Sequence, residues 1–156
     1  MASSPSSGGS SATSTTTSSS AQSTNNASSD TPAPVPRAPQ QQRRFGSIIR
    51  LRPDCIAAYK ACHASCWPEV QRQITQCKIH DYVIYHDPET GLLFSSFTYK
   101  GTDFERDMAL MRANPKVREW WTMTDSYQES LVPGAKSSEA GNPSWWKPLE
   151  EVFYQA

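Results

Sequence analysis

The stretch "AAYKACHASCWPEV", residues 57–70, sets Tyr59 and His63 four apart. On a helix that spacing puts both side chains on one face, with Trp67 near the same stripe. An imidazole is the side chain best suited to take or give a proton near neutral pH, and a phenol beside it can orient a hydroxyl. Two blander readings stand beside that one. A lone His on an apolar helix is more often a satisfied packing residue, and Cys62 and Cys66 bracket it as metal ligands would. The four cysteines, at 55, 62, 66 and 77, lack the paired C-x-x-C of zinc ribbons. Cys55, Cys62 and Cys66 are seven and four apart and so share a helix face, where buried reduced thiols are the simplest reading.

Trp120-Trp121 is a second signal. Neighbouring helix positions lie about 100° apart, so one narrow contact cannot bury both indoles equally. One is expected in the core and the other on a cavity wall. An indole offers a flat apolar face and an N–H donor, which suits the C–H faces and hydroxyls of a sugar; plain core filling is the rival. Trp145-Trp146 falls in a loop and either covers a dimer edge or closes over a site. Tyr82 opens a strand and joins Tyr59 only if its face looks into the same cleft; otherwise it is an ordinary strand aromatic. His80 and His86 read as surface residues. There is no phosphate-cradling Gly loop, dinucleotide fingerprint, Ser-nucleophile motif or paired metal-binding histidines.

The elements that must position these residues are legible in outline. "RRFGSIIRLR" (43–52) reads as a strand. Pro53 and Asp54 then suit a helix start, giving helix over 54–66. Pro68 interrupts, leaving either one kinked helix or two abutting ones. "HDYVIYHD" and "LLFSSFTYK" form a hairpin around "PETG", with Tyr82, Ile84 and His86 facing one way and Val83 and Tyr85 the other. "TDFE" at 102–105 is a capping box with Thr102 as the cap, opening a helix to about Ala113. Asn114-Pro115 restarts a helix through "KVREWWTMTDSYQESL", a loop follows, and "LEEVFYQA" closes the chain as a last strand. The order β-α-β-β-α-β is the ferredoxin-like split βαβ, an α+β fold with a four-stranded antiparallel sheet and helices on one face. The open face would leave apolar side chains exposed, so a homodimer is expected to cover it.

Composition narrows the function. The chain has 156 residues, and residues 1–42 are a Ser/Thr-rich then Pro-rich tail without an aromatic residue. Such a segment cannot bury enough apolar surface to offset its ordering entropy, and it reads as disordered. The domain over 43–156 holds all five Trp, six Tyr and five Phe. Lys+Arg and Asp+Glu balance at 15 each, which argues against nucleic acid and membrane surfaces as partners. No segment resembles a secretory signal or a membrane span, so a cytoplasmic protein is expected. An uncharged ligand fits this composition best.

The runs "DCIAAYKACHASCWPEV", "HDYVIYHDPETGLLFSSF", "REWWTMTD" and "LEEVFY" resemble the L-rhamnose mutarotase family in order and spacing, over about residues 43–156. The Tyr-x-x-x-His-x-x-x-Trp-Pro-Glu run is specific when it is paired with Trp-Trp. The resemblance implies a dimeric α/β barrel of ferredoxin-like subunits. It implies interconversion of the α and β anomers of L-rhamnopyranose, with no metal or organic cofactor. It implies His63 as proton donor, and Tyr59, Tyr82, Trp120 and Trp121 as sugar contacts. The long segment before the last strand departs from the family pattern and leaves the preferred 6-deoxy sugar, L-rhamnose or L-fucose, open. Two rival functions have the same fold: a haem or cofactor-free monooxygenase-type member of this dimeric class, and a non-catalytic binding module.

Overall fold

The structure, a computed structural model, describes residues 42–155; the expected tail, 1–41 of it, lies outside the described residues. Strand β1 (Arg43–Leu51) leads through a short 3-10 turn into helix α1 (Ile56–Ala64), and α2 (Pro68–Gln76) follows at once. Pro68 therefore separates two helices rather than kinking one. Pro has no N–H to donate and sits at the first position of α2, where none is needed. The hairpin is β2 (Ile79–Asp87) and β3 (Leu92–Tyr99), closed by Gly91 in the left-handed region at φ +69°. Helices α3 (Phe104–Ala113) and α4 (Pro115–Asp125) come next, then β4 (Gln128–Glu129) and β5 (Lys147–Leu149).

The strands lie in the order β2-β3-β1-β4, all antiparallel, with β5 also on β1. This is the ferredoxin-like arrangement with its fourth strand broken in two. β4 pairs Gln128 with Leu51 and Glu129 with Arg50, while β5 pairs Lys147 with Ile48 and Leu149 with Gly46. Residues 130–146 leave the sheet between them.

Three local expectations are corrected. The cap of α3 is Asp103, not Thr102: its carboxylate accepts from the Arg106 N–H at 3.1 Å. Tyr99 draws the chain there, because its hydroxyl accepts from the Asp103 N–H at 3.0 Å and donates to Asp107 at 2.7 Å. That hydroxyl passes over Gly101 so closely that a Cβ would collide with it. Helix α4 stops at Asp125 rather than running past Gln128, because the free edge of β1 takes up residues 128–129 and the Tyr127 carbonyl accepts from the Arg52 N–H. The closing strand is 147–149, and the chain beyond it pairs with no strand among the described residues. It is held instead by Arg44, which bridges to Glu151 at 2.7 Å and stacks over the Tyr154 ring.

The helices cover one face of the sheet. Ile49, Leu51 and Leu93 are essentially solvent-free and form one core cluster with Tyr59. Cys77, Ile79, Met111 and Val117 form a second. Each fully buried branched side chain contributes roughly 1.5–3 kcal/mol. A bulge between His80 and Val83, with Asp81 at φ +53°, resets the alternation of β2. Ile79 thus reaches the core while Tyr82 and Ile84 still face the helices. Tyr85 pairs with Phe94 on the opposite face, where both are exposed.

Candidate active site

Between sheet and helices lie two adjoining cavities, of about 760 and 220 Å³. Six residues border both: Tyr59, His63, Tyr82, Ile84, Trp120 and Trp121. All five residues singled out from the sequence are among them, brought from α1, β2 and α4 onto one wall.

Helix α1 contributes Tyr59 and His63, whose rings lie 4.1 Å apart between centroids. The His63 ring meets Trp120 edge-on at 5.2 Å, and Trp120 meets Trp67 in the same way at 5.4 Å. The orientation of the imidazole follows from one bond. Its Nδ1 lies 2.9 Å from the Tyr59 carbonyl oxygen, which can only accept. Nδ1 therefore carries the proton, and Nε2 is left to exchange one. Burial holds the imidazolium below its usual range, partly offset by the bond to that carbonyl. His63 is thus mostly neutral at neutral pH, with a lone pair on Nε2.

The two phenols have a different character. Burial pushes the Tyr59 hydroxyl well above its ordinary range, against a smaller opposing effect of a hydrogen bond from Gln128. Burial also pushes Tyr82 up, to about 12. By surface area the Tyr82 residue is 45% exposed, so this upward direction is weaker than that of the buried Tyr59. Both stay protonated and act as hydrogen-bond donors, not bases. Among the described residues no carboxylate borders either cavity.

The Trp pair divides as its helical spacing predicts, though less sharply. Trp120 is buried and Trp121 half-buried, yet both face the cavities. Trp145 and Trp146 close over the smaller cavity and pack on the core cluster around Tyr59. Their loop is pinned at Ser138, which donates through N–H and hydroxyl to Asp125 at 2.7 and 2.6 Å, and at Ser130, which donates to the Trp145 carbonyl.

Several residues were missed or misread. Gln128, Thr124, Ser138 and Ser144 line the smaller cavity. Gln128 fell inside the expected helix and was not singled out; its place in β4 buries it. His86 is not a surface residue: it faces the helices beside Leu93, lines the larger cavity, and its enclosed Nε2 has no hydrogen-bond partner among the described residues. Of the cysteines only Cys77 is buried, because α1 ends at Ala64 and Cys66 falls beyond it. The Cys62 thiol donates to the same Tyr59 carbonyl that His63 uses, at 3.1 Å.

A ferredoxin-like subunit with an imidazole, two protonated phenols and an indole wall around a small hollow belongs to the class of α+β proteins whose site can bind a small polar ring and move a proton on it. Comparison with known proteins narrows it. Residues 44–155 match the model of the family described as rhaM, L-rhamnose mutarotase, and the chain belongs to that family. It is 37% identical to an L-rhamnose mutarotase of Phocaeicola vulgatus over 67% of this chain and 89% of that one. It is 32% identical to one from Bacteroides thetaiotaomicron over 72% of this chain and 97% of that one. The crystal structure of an L-rhamnose mutarotase from Formosa agariphila superposes with a TM-score of 0.55 at 26% identity, covering 73% of this chain and 99% of that one. The family is one of isomerases that interconvert the anomers of rhamnose.

Proposed function

We propose that this chain interconverts the anomers of L-rhamnopyranose, with His63 carrying the proton and Tyr59, Tyr82, Trp120 and Trp121 holding the sugar. The observation that carries this reading is a neutral His63 whose Nδ1 is taken up by the Tyr59 carbonyl, leaving Nε2 to exchange protons, on the wall of a hollow whose smaller side has no other group of comparable basicity. That hollow, about 220 Å³, has room for roughly seven waters at about 30 Å³ each, the scale of one sugar ring.

Mutarotation moves one proton between two oxygens bonded to the same carbon. Nε2 takes the proton from the anomeric hydroxyl, the bond from the anomeric carbon to the ring oxygen breaks, and the imidazolium gives its proton to that ring oxygen. The open aldehyde turns about its bond to the next carbon, and the same steps in reverse close the ring on the other face. His63 is therefore the acid toward the ring oxygen and the base toward the anomeric hydroxyl. Its depressed affinity for protons makes the imidazolium a ready donor. The phenols donate hydrogen bonds to oxygens that gain charge in between, and the indole faces take the apolar C–H side and the methyl group. The exchange already proceeds in water, so a positioned acid–base group worth roughly 10²–10⁴-fold is enough.

The subunit is proposed to work as a homodimer in the cytoplasm, in carbohydrate metabolism. Support for the dimer comes from Tyr85 and Phe94 on the uncovered sheet face and from Phe153, 80% exposed at the end of the chain. Light scattering at micromolar concentration tests it; a monomer would refute it. No described helix is long and apolar enough to cross a membrane. The activity is tested by saturation-transfer NMR with L-rhamnose and L-fucose. Anomer exchange no faster than in buffer, with either sugar, would overturn the proposal.

A further inference from the structure

Among the described residues, Gln128 is the one buried amide that hydrogen-bonds to a proposed sugar contact. It is 5% exposed, sits in β4, and reaches two rings at once. Its Oε1 lies 3.1 Å from the indole Nε1 of Trp145, and its Nε2 lies 3.4 Å from the hydroxyl of Tyr59. An indole N–H can only donate. The end of the amide facing Trp145 must therefore be the oxygen, and the end facing Tyr59 must be the NH₂. Tyr59 then accepts from Gln128, and its own proton has to point elsewhere. Tyr59 borders both cavities, so a ligand there can receive that proton.

From this chain we infer that Gln128, held by Trp145, is a positioning residue that sets the direction of the Tyr59 O–H toward the sugar. The inference rests on the mutarotase reading of the site. It gives the loop over 130–146 a task beyond covering the hollow. Trp145 arrives through this loop, and its indole decides which way a buried amide points one residue pair away from the reacting ring. Without Trp145 the amide can turn over, and Tyr59 would then spend its proton on the amide oxygen.

Gln128→Glu tests the direction of the bond. An ionised carboxylate accepts from both Trp145 and Tyr59, drawing the Tyr59 proton away from the sugar. A protonated carboxyl restores the original pattern, accepting from Trp145 and donating to Tyr59. Above the titration of the introduced carboxyl, which burial raises, turnover in the exchange assay is expected to fall roughly tenfold or more, one hydrogen bond's share of the barrier, with little change in KM. The ratio of variant to wild-type turnover should climb as pH falls through the titration of the introduced carboxyl. In a Tyr59→Phe background that climb should vanish. A ratio flat with pH, or one that climbs equally without the Tyr59 hydroxyl, overturns the inference.

Trp145→Phe keeps an aromatic side chain, though a smaller one, and removes the N–H, and guards against misfolding of the first variant. It should lower turnover several-fold, and unchanged turnover overturns the inference. A wild type that exchanges no anomers sinks the mutarotase reading instead. In that case the indole N–H resonance of Trp145 still reports on the chain of bonds. It should shift in Gln128→Leu, and a resonance that stays put overturns the inference by itself.

Discussion

The larger cavity is walled by Val70, Ile74, Ile79, Met108 and Met111, the smaller by Thr124, Gln128, Ser138, Ser144 and two indoles. They meet along His63, Tyr59 and the Trp pair, so the same imidazole faces an apolar chamber on one side and a hydrogen-bonding hollow on the other. A sugar ring loses water from every hydroxyl when it binds, and the smaller cavity, lined mainly by groups that can hydrogen-bond, is better suited to replace that water than the larger one, where Lys60 and His86 stand among mostly apolar side chains. The proposed chemistry at His63 is therefore expected on the polar side, and changes on the apolar side should act on stability alone.

His63→Ala tests this division most severely. Anomer exchange should fall about 10²–10⁴-fold while the melting temperature stays near that of the wild type. An unaltered rate by saturation-transfer NMR removes the imidazole from the mechanism. The Trp pair comes next. Trp120 is buried, so Trp120→Ala should cost about 3–5 kcal/mol in chemical denaturation, a folding effect before a binding one. Trp121→Ala should leave stability closer to wild type and raise KM roughly tenfold, a loss of about 1.4 kcal/mol in sugar affinity. Equal losses of stability would mean that both indoles are core.

The dependence on pH is smaller and has a definite sign. In the proposed cycle the resting form is the neutral imidazole, whose proton affinity burial has lowered. Turnover should be level through neutral pH and decline by about tenfold per unit only once pH falls below that depressed value, under the usual imidazole range near 6.5. A rate that rises toward acid would mean the imidazolium starts the cycle. The smallest effect is expected in the apolar chamber. Met108→Leu conserves volume and should cost less than about 1.5 kcal/mol with unchanged turnover. Any loss of turnover there would break the division between the two sides.

Much of this was legible before any coordinates. The helical spacing of Tyr59 and His63, the alternation of Tyr82, Ile84 and His86, and the βαββαβ order all hold in the structure. These signals are local: a period, a turn, a proline. The failures have the opposite character. Residues 126–131 carry no helix breaker, and only the vacant edge of β1 turns Gln128–Glu129 into a strand. Thr102 and Asp103 both make good caps, and a tyrosine four residues back decides between them. Gln128 carried no motif at all; its importance comes from two rings distant in sequence. His86 looked polar and peripheral because the strand's edge position says nothing about the helices packed beside it.

The break in the fourth strand has a further consequence. Both ends of the interruption are stapled to β1, at Arg50–Glu129 and at Ile48–Lys147, two residues apart on the same strand, or about 7 Å. Whatever lies between can lengthen, shorten or change its composition at little conformational cost, since closure entropy grows only logarithmically with length. The roof of the hollow can thus change in length between its two anchors while the strand beneath it keeps its register.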